Sequence, residues 1–396
     1  MPKQKTGFRK SHGGCKRCRQ RKVKCNEARP VCNNCHRHNT TCEYGVSFQP
    51  VQLPAGEIQD RPQRTLLTSV DDESHPFLDS ISRRRLELEL MHHFITVTCP
   101  TFPASSLQLG RGLWTVDAVR LAFQHEFLLN AIHAIAALHL VRDLPDTTTC
   151  QLAKVHGFYL DLAVTQQRKA VADITPENAN ALVFASVLLS YQGLRLLPAE
   201  PGSVAQPYKP PVQWLRMGRG INDVSAVAGH IGHPEPVIPY MLRVSGEPNF
   251  RNKETFFNAS NRARFAHLLQ FDSTSDPEND VEAWVGYEEA VGYIGYMAKA
   301  IESQELPRIL WRLVLGFGIL MPSTFIDCVE IGRPRALIIL AHYFALAKSV
   351  DDHWIFAGLA NREVAGIHDL LPQELQHYLA WPLRVVDSSP LALEIS

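Results

Sequence analysis

Six of the nine cysteines fall within the twenty-eight residues from Cys15 to Cys42, in the order CKRCRQRKVKCNEARPVCNNCHRHNTTC. Their spacing is C-x2-C-x6-C-x6-C-x2-C-x6-C, and Cys15, Cys18 and Cys25 recur seventeen residues later as Cys32, Cys35 and Cys42. Two copies of one half-site are therefore present. Thiolates at such short spacing suit zinc, which takes four N or S ligands in a tetrahedron. Two zinc ions need eight ligand positions from six sulfurs, and the count closes when two thiolates bridge both metals. His36 and His38 lie near enough in sequence to be rival ligands.

Other uses of clustered cysteines fit less well. A disulfide framework belongs to an oxidising compartment, and the opening MPKQKTGFRK is polar and basic, with no apolar h-region to direct secretion. RING and LIM sites need longer gaps and usually histidine among the ligands. A metal also answers how so small a module folds. Below about 40 residues a hydrophobic core rarely suffices, whereas a structural zinc supplies roughly 10 kcal/mol or more.

The charge is as uneven as the sulfur. The chain carries no net charge. Residues 1 to 45 nevertheless hold twelve Lys and Arg against Glu27 and Glu43, a local +10, which leaves −10 for the rest. A basic end on an acidic body implies a polyanionic partner for the end alone. Within the cysteine framework the cations sit almost wholly in the first half, at Lys16, Arg17, Arg19, Arg21, Lys22 and Lys24. The second half offers Asn33, Asn34, His36, Arg37, His38, Asn39 and two threonines.

The segment resembles the fungal Zn2Cys6 binuclear-cluster DNA-binding domain, through the CR-x-RKVKC run from Cys18 to Cys25 and the proline at Pro30, two residues before the fourth cysteine. That resemblance implies two zinc ions held by Cys15, Cys18, Cys25, Cys32, Cys35 and Cys42, with Cys15 and Cys32 as the bridging thiolates. It also implies that the first arm forms a short helix entering the major groove of double-stranded DNA. Lys22 then matches the position that reads guanine edges in a CGG triplet, and Arg21 its basic neighbour. The chemistry is sound, because guanine presents its O6 and N7 acceptors side by side in that groove. Arg19 and Lys24 are assigned to phosphates, which position a protein without reading sequence. A nucleus is the expected location, and the same cations can serve as its import signal.

These residues need elements to hold them. Residues 1–14 read as a basic arm in which Lys3, Lys5, Arg9 and Lys10 are further phosphate contacts or simply solvated, 15–42 as the zinc module, and 43–79 as a linker broken by Pro50, Pro54, Pro62 and Pro76. Four prolines leave no apolar heptad, so no coiled coil follows the module and a homodimer formed by that route is doubtful. Residues 80–396 read as an all-α domain. In SRRRLELELMHHFITV, Leu86, Leu90, Phe94 and Val97 form one stripe, widened by Leu88, Met91 and Ile95. The adjacent His92 and His93 point in different directions and form no metal pair. Further helices are expected at about 116–142, 148–172, 176–195, 213–228, 260–272, 277–303, 307–320, 334–349 and 360–371, with Pro176 and Pro277 as first helical residues. The proline-rich stretch Leu197 to Val212 reads as an irregular excursion. Cys99, Cys150 and Cys328 are expected as buried thiols. No apolar run is long enough to span a membrane.

A second resemblance covers residues 80 to 390. RRRLELELMHHFITVTCPTFP, Phe127 to Leu140, ITPENANALVFASVLL and the block from Pro334 through Trp354 to Trp381-Pro382 look like the helical regulatory domain of fungal transcription factors of the sterol uptake control type. It implies a regulatory helical body and a sterol or other lipid-like ligand; the body would then sense that ligand or contact the transcription machinery. Enzymatic readings of this body fail one by one. His125-Glu126 is followed by Leu129 where H-E-x-x-H needs histidine, the G-R-G at 218–220 and G-F-G at 316–318 lack the third glycine of a dinucleotide fingerprint, and no G-x-S-x-G occurs. Asp71-Asp72 and Asp351-Asp352 are followed by His75 and Ile355, which cannot complete a DDxxD magnesium cluster. The expectation is a sequence-specific transcription regulator and not an enzyme. Its rival is an interaction protein that acts through another transcription factor and binds DNA only nonspecifically.

Overall fold

A computed structural model describes residues 15–26, 31–38, 40–42, 80–102, 105, 108–141, 146–195, 207–231, 248–250, 252–270 and 280–388. The basic arm, the linker, Pro30, Asn39, Asp276-Pro277 and most of the excursion after Leu197 lie outside them. The chain divides into two units, Met1–Thr65 and Leu66–Ser396.

In the first unit each half of the cysteine repeat builds one short helix, α1 (Lys16–Gln20) and α2 (Asn33–Arg37). Both begin at the first cysteine of their half, which stays extended and caps the helix with its sulfur. Both end alike, since Val23 N–H bonds Cys18 C=O at 3.1 Å and Thr40 N–H bonds Cys35 C=O at 3.1 Å. The seventeen-residue repeat in sequence is thus a repeat in backbone.

The second unit is built of helices, and no strand occurs among the described residues. Its main helices are α3 (Ser80–His93), α4 (Gln108–Gly112), α5 (Ala118–Ala122), α6 (Glu126–Leu140), α7 (Asp146–Val171), α8 (Ala179–Leu194) and α9 (Val212–Ile231). After two short helices, α10 (Lys253–Phe257) and α11 (Ala259–Arg262), come α12 (Val281–Glu302), α13 (Pro307–Leu320), α14 (Ser323–Glu330), α15 (Pro334–Ala347), α16 (Leu359–Leu370) and α17 (Ala380–Asp387). At the centre lies α15, PRALIILAHYFALA, every residue of which is buried. A helix apolar on all sides must be surrounded. Its one buried cation is satisfied, because Arg335 donates to Leu268 C=O at 2.9 Å and lies 4.7 Å from the Trp284 ring. No single helix among the described residues is long and apolar enough to cross a membrane.

Several sequence expectations shift in detail. On α3, Leu86, Leu90 and Phe94 are buried as the stripe requires, but Val97 is 44% and Leu88 66% exposed. A π-turn over Phe94–Thr98 adds a residue to the repeat and moves Thr98, fully buried, into the place expected of Val97. The helix expected at 116–142 is broken at Phe123–His125, where the His125 ring bonds Glu177 C=O at 3.1 Å. Pro176 lies in a turn before α8, and α12 begins at Val281, capped by Asp280, whose side chain accepts from Ala283 N–H at 3.1 Å. Beyond Arg262 the helix tightens to 3-10 geometry. Cys99 and Cys328 are buried, whereas Cys150 is half-buried.

Of the glycines in the G-R-G and G-F-G runs, Gly218 and Gly316 are packing devices. A Cβ on Gly218 of α9 would stand 2.6 Å from the backbone carbon of Gly318 on α13, and one on Gly316 would meet Phe250 and Tyr293. Bare backbone at Gly218 lets α9 and α13 cross in contact, while Gly316 makes room for the Phe250 ring and the Tyr293 hydroxyl.

Candidate metal centre and nucleic-acid interface

The sulfurs of Cys15 and Cys32 lie 3.7 Å apart, and 3.6 Å separates Cys15 from Cys35 and Cys18 from Cys32. A disulfide would require about 2.05 Å. A zinc tetrahedron with Zn–S bonds of about 2.3 Å has sulfur–sulfur edges of about 3.8 Å. The observed spacings match the second figure.

The neighbours of each sulfur sort into two sets. Cys18 meets the sulfurs of Cys15, Cys32 and Cys25, while Cys35 meets those of Cys32, Cys15 and Cys42. Cys15 and Cys32 belong to both quartets. The four sulfurs of Cys15, Cys18, Cys32 and Cys35 all lie within 4.8 Å of one another and are buried. His36 and His38 are exposed.

Backbone amides prepare the two shared sulfurs for negative charge. Cys18 N–H points at Cys15 Sγ and Cys35 N–H at Cys32 Sγ, each at 3.4 Å. Amides at a helix start favour a thiolate. The Cys35 amide, against the cost of burial, holds Cys32 down to about 6, and Cys15 falls below the ordinary thiol value although burial works against it. Burial raises the outer thiols instead, Cys35 to about 12 and Cys18 further. Such a set becomes fully ionised only against a cation. Cys25 and Cys42 are tied in as well, taking the N–H groups of Cys15 at 3.5 Å and of Cys32 at 3.3 Å.

The cations singled out in sequence, Arg19, Arg21, Lys22 and Lys24, are all exposed along α1 and the loop that leaves it. Lys22 has φ +53°, a left-handed conformation that L side chains rarely adopt. Two residues on, Asn34 Nδ2 donates to Lys24 C=O at 2.7 Å, and Asn33 N–H donates to Asn26 Oδ1 at 2.9 Å. These bonds between the halves were not foreseen from sequence, since asparagine carries no spacing signature.

Residues 13–50 match the family model of the fungal Zn(2)-Cys(6) binuclear cluster domain. The chain is 33% identical over 341 residues to the Zn(2)-C6 fungal-type transcription factor afumD of Aspergillus fumigatus, covering 85% of each. The chain belongs to the fungal Zn(2)-C6 transcription factors. It is also 27% identical to a Zn(2)-C6 fungal-type transcription factor of Gibberella zeae over all of this chain and 89% of the relative. The sterol uptake control protein 2 of Candida albicans is more distant, at 21% over 82% of this chain and 46% of its own length. A Zn2Cys6 domain binds two zinc ions, and this family uses it to bind DNA and regulate transcription. It is not a family of enzymes, and its members are generally nuclear.

Proposed function

We propose that Cys15, Cys18, Cys25 and Cys32 hold one zinc and Cys32, Cys35, Cys42 and Cys15 the other, so that Cys15 and Cys32 bridge. On this frame Lys22 and Arg21 read a CGG-like element in the major groove while Arg19 and Lys24 bind phosphate. The two sulfur quartets that share Cys15 and Cys32 support the ligand assignment. The observation that carries the readout is Lys22 itself. Backbone strain at a non-glycine residue is kept where the side chain serves a function, and here the residue in strain is an exposed lysine in the half of the module rich in cations. The protein acts in the nucleus and passes the signal of occupied DNA to the transcription machinery.

Selection of bound sequences from a random DNA library with the full-length, zinc-loaded protein tests this reading. The expected product is a CGG-like half-site, single for a monomer and paired for a homodimer. Lys22→Ala should lose about 1 to 3 kcal/mol on the selected site and little on unrelated DNA. A steep salt slope without sequence preference would favour an interaction protein in its place.

We further propose that the helical body takes a lipid-like ligand. An open groove of about 430 Å³ runs along α3, lined by Leu86, Leu88, Leu90, Val97, Leu140 and Leu152 together with the polar side chains of Arg85, Glu89, His92, His93 and Thr96. It accounts for two large apolar side chains, Leu88 and Val97, left facing solvent. Sterol and fatty-acid probes are expected to bind the wild-type protein and to be displaced by Leu88→Arg. Equal binding by that variant would sink the assignment.

A further inference from the structure

We infer that Asn34, in the half without the run of cations, is a positioning residue for the reading loop: its amide holds the Lys24 carbonyl and thereby fixes the left-handed turn at Lys22. The inference rests on Lys22 reading base edges as proposed above.

A strained backbone persists only where its surroundings over-determine it. Around Lys22 the first half supplies three such ties. Lys22 N–H bonds Arg19 C=O at 3.2 Å, Val23 N–H bonds Cys18 C=O at 3.1 Å, and the Cys25 sulfur accepts from Cys15 N–H at 3.5 Å. These hold the turn and the sulfur but leave the peptide between Val23 and Cys25 to be fixed. Asn34 Nδ2 fixes it, with a 2.7 Å bond to Lys24 C=O. Asn26 returns the tie by accepting from Asn33 N–H at 2.9 Å, so the stretch Lys24 to Asn26 is braced at both ends against the start of α2.

The brace is not a by-product of the internal repeat. A shift of seventeen residues puts Arg17 in register with Asn34 and Glu43 in register with Asn26. Neither amide recurs at its matching position, so the brace belongs to these residues and is not imposed by the repeat. Asn34 touches the loop through its backbone, which leaves the side chains of Lys22 and Lys24 free for nucleic acid. The second half thus sets specificity without offering a base contact.

The test uses the full-length, zinc-loaded protein, its selected DNA site and a scrambled duplex. Asn34→Ala should lower the preference for the selected site about 3- to 10-fold, the span of one hydrogen bond, while binding to scrambled DNA and the two zinc ions per chain are kept. Asn34→Gln restores a donor and should recover part of the preference. In a Lys22→Ala background, Asn34→Ala should remove nothing more, because both act through one contact. Unchanged preference in Asn34→Ala, equal losses on both duplexes, full additivity with Lys22→Ala, or loss of zinc from both Asn34 variants would each overturn the inference. Should Lys22→Ala itself keep its preference, the readout at Lys22 fails. A loss in Lys22→Ala beside an unchanged Asn34→Ala sinks the brace alone.

Discussion

At Lys22 two demands conflict. The backbone sits at φ +53°, a region that disfavours an L residue by roughly 1 to 2 kcal/mol and tolerates asparagine better. The repeat places Asn39 in the same register of the second half. Lys22→Asn should therefore leave the zinc-loaded module as stable as wild type, or more stable by up to about 1 kcal/mol, while sequence preference disappears. Chemical denaturation and a DNA-binding assay on the same sample check both halves of that statement. The sulfurs make a second prediction at this scale. With Cys35 held up to about 12 and Cys18 also raised by burial, both are protonated thiols near neutral pH before metal arrives. Zinc binding should then release protons into a weakly buffered solution, and affinity should weaken as pH falls toward 6, since metal and proton compete for the same sulfur. Calorimetry in two buffers of different ionisation enthalpy measures the release.

Helix crossings explain what single residues do not. Gly218 and Gly318 meet where α9 and α13 cross, and a methyl group at Gly218 would press on backbone, which cannot rotate away. Gly218→Ala is expected to destabilise the body by about 1 to 3 kcal/mol. Gly220→Ala, on the same helix with open space around it, should be neutral or stabilising by up to about 1 kcal/mol. Thermal melts of the pair separate packing from helix propensity. The same scale shows how far the sequence could be read. Sulfur spacing was legible because metal geometry ties chemistry to chain distance. The stripe on α3 was legible to Phe94, but nothing in FITVT announces the π-turn that exchanges Val97 for Thr98. Likewise no proline or glycine marks the break at Gln124, which depends on a bond from His125 to Glu177 fifty-two residues away. Short helices such as α14 and α17 carry too few turns for periodicity to reveal them. Expected boundaries at Pro307 and Pro334 did hold, because a proline at the first helical position needs only local geometry.

On the scale of the molecule, the two units depend on different forces. Among the described residues the zinc module has no apolar core beyond its cysteines, whereas the body buries a continuous one. A strong chelator should abolish DNA binding and leave the helical signal and melting transition of the body within about 2 °C, no more than a loss of about 1 kcal/mol produces in a domain of this size. Acid, unlike a chelator, should reach the body directly. Burial lowers His342 and His133 to about 4 from the ordinary 6.5, so each favours folding as a neutral ring. That stability is complete above about pH 6.5 and is lost as pH falls to about 4, by up to roughly 3 kcal/mol for each ring. Glu363, whose carboxyl is raised by burial, opposes the trend in part. Melting temperatures across that window report the balance.

Sharing Cys15 and Cys32 between the two sulfur quartets has a consequence for how the module answers the cell's zinc supply. As proposed, neither half owns four ligands: each borrows one sulfur from the other, so a single seventeen-residue half is an incomplete site. The first ion must draw both halves together before it is held, and in doing so it assembles the place of the second. Loading is then cooperative, with half-filled molecules scarce, and the protein passes between competent and incompetent over a narrow range of free zinc.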